Sequence, residues 1–132
     1  MRVGLLVALA VLVAVAACGS SAAAGRPQAI RFGYSGGNLF GSTASIRPDG
    51  AVTVRLPHGT RRSRISVRLV RKLGREIRQA QLTNRICAGT NPDFAGRFIR
   101  LGRRTVTVRG GCEPRFDRVW SDLTKAVGHF PA

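Results

Sequence analysis

Chemistry in this chain would have to come from few residues. The carboxylates are Asp49, Glu76, Asp93, Glu113, Asp117 and Asp122; the imidazoles are His58 and His129; the thiols are Cys18, Cys87 and Cys112. General acid–base work or an activated nucleophile needs two such groups with matched roles in one place. Asp49 lies in Arg47-Pro48-Asp49-Gly50 and Asp93 in Asn91-Pro92-Asp93, both turn-forming strings. Glu113 and Asp117 flank Pro114, which suits a helix start, where carboxylates are favoured by the helix dipole alone. His58 stands alone between Pro57 and Gly59, and His129 stands in a short tail. Neither has a nucleophile placed beside it, so the expectation is a protein that is not an enzyme and carries no cofactor.

Cations dominate instead. Lys+Arg total 22 against 6 Asp+Glu, a formal charge of +16, and every cation except Lys72 and Lys125 is an arginine. Such an excess attracts anionic lipid headgroups, wall polymer, nucleic acid or acidic protein. Arginine codons are GC-rich, so genome composition can raise the count as well. The densest run is Arg68, Arg71, Lys72, Arg75 and Arg78, at helical spacing, with Glu76 as its one acid. Like charges three and four residues apart destabilise a helix by a few tenths of a kcal/mol each, at about that scale. This face is therefore either plainly solvated or matched by an external anion, and it is the candidate anion-binding site. Aromatics make up 6% of the chain, and none is interleaved with these cations as a base-stacking platform would require. Nucleic acid is therefore set aside as a partner.

The N-terminus carries an address. Met1-Arg2 supplies a positive start, and Val3 to Val15 is an unbroken apolar run. That run suits a secretory signal and is short of the roughly 20 residues of a membrane span. Val15-Ala16-Ala17-Cys18 follows it directly and resembles a bacterial lipobox. The resemblance implies cleavage after Ala17 and a diacylglyceryl thioether on Cys18, leaving the protein on the outer face of the cell membrane. Two acyl chains anchor durably where one is marginal. Ala22-Ala23-Ala24 before Gly25 is a second, ordinary cleavage site further on. Residues 1–17 then form the signal peptide and residues 18–28 a lipidated cysteine with a flexible tether. From Gly19 to Pro27 the tether spans at most roughly 30 Å.

With Cys18 acylated, Cys87 and Cys112 remain as an even pair outside the cytosol, where a disulfide is the default. The alternative is a metal site using both with His58 or His129, without any close C-x-x-C pair.

The rest of the chain, residues 29–130, suits one domain. Alternation predicts a strand over Ala29–Ser35, with Ile30, Phe32 and Tyr34 on one face. Gly36-Gly37-Asn38 breaks it. Ser42–Ile46 and Ala51–Leu56 form a hairpin across Arg47-Pro48-Asp49-Gly50. Thr60 to Arg64 reads as a polar connection. Ser66 is a plausible N-cap for a helix to about Leu82, with Val70, Leu73, Ile77 and Ala80 inward. Thr83 to Phe94 reads as irregular. Arg97–Leu101 and Arg104–Arg109 make a second hairpin, the register of the first strand being open between Phe98 and the Ile99/Leu101 pair. Phe116, Val119, Trp120, Leu123 and Val127 form the apolar stripe of a last helix, which Gly128 ends. The expected fold is α+β and two-layered. It has an antiparallel sheet of four to five strands with two helices on one face, in the order β-ββ-α-ββ-α.

Arg31-Phe32-Gly33-Tyr34-Ser35-Gly36-Gly37, Ile46 to Val54 and Gly102 to Val108 together resemble small uncharacterised domains of bacterial exported lipoproteins. They are more loosely similar to emfourin, a small protein inhibitor of thermolysin-like metalloproteases. The lipobox, the short tether and the basic surface point to a non-catalytic, membrane-tethered binding module with its basic surface facing anionic lipid or wall polymer; the resemblance implies, as the alternative, a protein inhibitor of an extracellular protease. It transfers no residue role. Leu82-Thr83-Asn84-Arg85-Ile86-Cys87 stands where such domains often carry a Phe-Phe-x-Leu-Pro-like segment.

Overall fold

The structure, a computed structural model, describes residues 26–36, 41–128 and 130–131. The lipobox with Cys18, the leader, the tether before Arg26, Gly37, Asn38 and His129 lie outside the described residues.

The link Arg47-Pro48-Asp49-Gly50 shows how local chemistry sets the sheet's register. Gly50 takes φ +87°, a conformation L side chains rarely adopt. Its N–H donates to the Arg47 carbonyl at 2.9 Å, and the Arg47 N–H donates to the Ala51 carbonyl at 2.8 Å. The Asp49 carboxylate accepts the Ala51 N–H at 3.1 Å and the Arg47 guanidinium at 3.0 Å. A Cβ at Gly50 would collide with the Ile65 carbonyl, and the Gly50 carbonyl accepts the Ile65 N–H at 2.9 Å. The turn is thus clamped to the chain that enters the first helix.

Seven strands result: β1 Ile30–Ser35, β2 Thr43–Ile46, β3 Ala51–Leu56, β4 Gly59–Arg64, β5 Arg85–Ile86, β6 Gly96–Leu101 and β7 Arg104–Arg109. They form one sheet in the order β4-β3-β2-β1-β6-β7-β5, antiparallel except for the parallel β5–β7 pair. The α+β class is as expected, but the strand count exceeds four to five. Both additional strands are ones that hydrophobic alternation cannot reveal. All six residues of β4 are exposed; it is a sheet edge held by its backbone ladder to β3, and its arginines keep other edges away. β5 is two exposed residues laid beside β7. The Asn84 side chain places it by accepting the Thr107 N–H at 2.8 Å, and the Cys87 N–H donates to the Arg109 carbonyl at 2.9 Å.

Two helices, α1 Val67–Gln79 and α2 Pro114–Val127, cover one face. The Ser66 hydroxyl caps α1 by accepting the Leu69 N–H at 3.1 Å. The helix stops at Gln79 rather than near Leu82, because Gln81 turns to φ +49° and sends Leu82 down into the core. In α2, Phe116, Val119, Trp120 and Leu123 are buried as their spacing requires. They meet Phe32, Ile99 and Val108 from the sheet, while Val70 and Leu73 of α1 cover the same core. Ile99 and Leu101 point inward and Phe98 outward, which decides the register of β6. Phe130 and Pro131 close one end: Phe130 packs at 5.1 Å from Phe32 and 5.8 Å from Trp120, and the Tyr34 hydroxyl donates to the Pro131 carbonyl at 3.2 Å.

Candidate functional site

The α1 cations stand on the helix surface away from the sheet. Arg68, Arg71, Lys72, Arg75 and Arg78 are all exposed, while Val70, Leu73 and Gly74 are buried beneath them. Their one acid, Glu76, meets Lys72 at 3.7 Å. An exposed pair at that distance offsets little of the local repulsion. Arg71, Arg75 and Arg78 line a groove of about 130 Å³ together with Pro27 and Gln28. The segment leading into β1 therefore enters the domain along this basic face.

A second basic surface lies on the opposite side of the sheet, where no helix packs. The register puts Arg31, Ser45, Thr53, Arg62, Arg100 and Thr105 in one row across the strands. The neighbouring row runs Thr60, Arg55, Thr43, Gly33, Phe98 and Thr107. Arg31 and Arg100 are direct cross-strand partners. Among the described residues, the ion pairs are Arg47–Asp49, Lys72–Glu76, Arg85–Glu113 and Arg97–Asp117, so none of the arginines in these rows has a carboxylate. The signal for this surface was in the sequence: alternation turns Arg31, Arg55 and Arg109 away from the core. Which of them are neighbours depends on strand order, which alternation does not carry.

The remaining polar groups do structural work. Arg97 donates to Asp117 at 2.6 Å and to the Gly110 carbonyl at 3.0 Å, and its guanidinium lies 5.3 Å from the Phe116 ring and 5.5 Å from the Trp120 ring. Asp49 is held below the usual carboxylate range, first by the Ala51 N–H and then by Arg47 and Arg64. Burial pushes the Tyr34 phenol up, against a smaller opposing pull from Arg97.

Cys87 and Cys112 form a disulfide, which removes the metal alternative for that pair. His58 lies in the β3–β4 turn, at the far edge of the sheet from it. No protein-family model matches this chain, and no curated protein matches it.

Among the described residues, no cluster of three His, Cys, Asp or Glu side chains could hold a metal ion, and no helix is long and apolar enough to cross a membrane.

Proposed function

We propose that the chain is a non-catalytic binding module of the bacterial cell envelope, an exported lipoprotein held at the outer face of the membrane through a diacylglyceryl group on Cys18. One observation carries this reading. Pro27 and Gln28, at the end of the tether, share a groove with Arg71, Arg75 and Arg78. An anchor upstream of that groove would draw the α1 face, rather than the open sheet, toward the bilayer. Each Arg or Lys held near an anionic leaflet contributes about 1 kcal/mol, less as salt rises. Arg68, Arg71, Lys72, Arg75 and Arg78 together would then set the domain's orientation, and the lipid its residence.

The mature chain, residues 18–132, carrying Cys18→Ala tests the electrostatic part without the anchor or the apolar leader. It should sediment with vesicles containing anionic lipid at low salt and be released as salt rises. Replacing Arg68, Arg71, Arg75 and Arg78 by Gln, which keeps helix propensity, should abolish that binding. Equal retention by neutral and anionic vesicles would sink the idea.

A further inference from the structure

The α1 face and the open sheet face lie on opposite sides of a two-layer domain, so one flat bilayer cannot touch both. We infer that the open face of the sheet is a second binding site, for a linear phosphate-bearing polymer of the envelope lying across the strands. The inference rests on the proposed function in placing the polymer in the envelope and in saying that this face points away from the bilayer.

Three observations carry it. Arg31 and Arg100 are side by side in the β1–β6 register, where like charges oppose each other, and the hydrogen bond from Arg100 Nε to the Gly102 carbonyl at 3.0 Å brings no negative charge to offset them. In the same row Arg62 stands three strands from Arg31, about 14 Å at the usual strand spacing of ~4.8 Å. Arg55 projects from the adjoining row. The cations thus form a band crossing the strands, which suits an extended chain of charges better than a single small anion.

Between the arginines the face is lined by hydroxyls, with Thr43, Ser45, Thr53 and Thr105 all in the two rows. Guanidinium forks and hydroxyl donors are the groups that bind phosphate oxygens, Arg doing so bidentately. The side chains are short, so a polymer can lie close to the sheet. Phe98 is the one aromatic on this face among the described residues, and it is half-buried. A strand of nucleic acid would find no series of rings to stack on, so the chemistry favours a polymer without bases.

Long-chain inorganic polyphosphate is the probe, with the mature chain, residues 18–132, carrying Cys18→Ala. About four neutralised phosphates predict a fall in log K against log salt with slope about −3, at ~0.7 per contact. Arg31→Thr with Arg100→Thr should reduce the slope by about 1.4 and weaken low-salt binding at least about ten-fold, a loss of ~1.4 kcal/mol. Vesicle binding should stay as it was. The four-Gln variant of α1 should show the reverse, losing vesicles and keeping polyphosphate. The near-ultraviolet signal of Trp120 checks that each variant is folded. Unchanged polyphosphate binding by the folded Arg31→Thr, Arg100→Thr variant overturns the sheet site, whatever the vesicles show. So does a single-stranded DNA of equal charge that outcompetes polyphosphate. Failure of the protein with its α1 cations intact to bind anionic vesicles, with the sheet-dependent polyphosphate binding present, overturns the membrane orientation and leaves the sheet site standing.

Discussion

Arg31 of β1 and Arg100 of β6 face each other as direct cross-strand partners on the uncovered side of the sheet, and neither has a carboxylate among the described residues. Two like charges in that relation oppose each other by a few tenths of a kcal/mol, up to about 1 kcal/mol at low salt. Replacing both by Thr, a strong strand former, should raise the free energy of unfolding in urea by about 0.5 kcal/mol. The gain should shrink as salt is added, since salt screens the wild-type repulsion. A loss of stability would show that the two guanidiniums are matched within the fold.

Reduction of the Cys87–Cys112 bond should cost about 3–4 kcal/mol for a loop of roughly 25 residues in the chain-entropy model. The bond ties the end of β5 to the stretch between β7 and α2. Gly110 is the residue that makes room for it. At φ +88°, a Cβ there would lie 2.7 Å from the Cys87 Cβ and 2.6 Å from the Thr90 hydroxyl oxygen. Gly110→Ala should therefore lower the melting temperature and speed reduction by a mild thiol. A variant that matches wild type in both would refute this.

Arg97 couples β6 to α2 through Asp117 and through the faces of Phe116 and Trp120. Lysine keeps the charge but loses the planar stack and the fork that also reaches the Gly110 carbonyl. Arg97→Lys should cost about 1 kcal/mol, read by denaturant melts, and should shift the Trp120 fluorescence. Asp117→Asn alone should cost less than about 1 kcal/mol, as expected for a partly exposed ion pair.

Tyr34 is the chain's one tyrosine, so its phenolate band can be followed directly. Its folded-state pKa is raised by burial under the C-terminal tail. A raised folded value leaves stability intact below the unfolded value of about 10 and removes it as pH climbs from there through the folded value. Alkaline titration should thus ionise Tyr34 late and lower stability over that interval. Phe130→Ala, which removes the ring stacked on Tyr34 at 6.0 Å, should bring the ionisation back toward pH 10 and cost about 2 kcal/mol.

Asp49 works in the opposite direction. Its folded pKa is depressed, first by the Ala51 N–H, so its contribution is present above the unfolded carboxylate value and is lost as pH falls through the folded one. Asp49→Asn should flatten the acid limb of the stability curve. An unaltered acid limb would mean that the turn does not depend on that charge.

Local sequence determined a good deal here. Ser66 caps α1 because a hydroxyl just before an apolar repeat can take an orphan helix N–H, and Gly50 and Asp49 close the β2–β3 turn with their own backbone chemistry. The stripe containing Trp120 could be assigned to the core because helical spacing puts its members on one side. The pairing of Cys87 with Cys112 followed from cysteine parity once Cys18 was assigned to a lipid. Only the tertiary structure decided which strands are neighbours. β1 lies between β2 and β6, a long-range pairing that no periodicity encodes, and that placement sets Arg31 beside Arg100. β4 escaped notice because an edge strand with both sides in water needs no apolar alternation, only a partner's backbone. β5 escaped it because two residues carry no period at all. The basic band on the open sheet shares that origin: alternation turned Arg31 and Arg55 outward, but Arg62 stands on a strand with no alternation and Arg100 on one whose register was open, and strand order alone assembled the four into a surface.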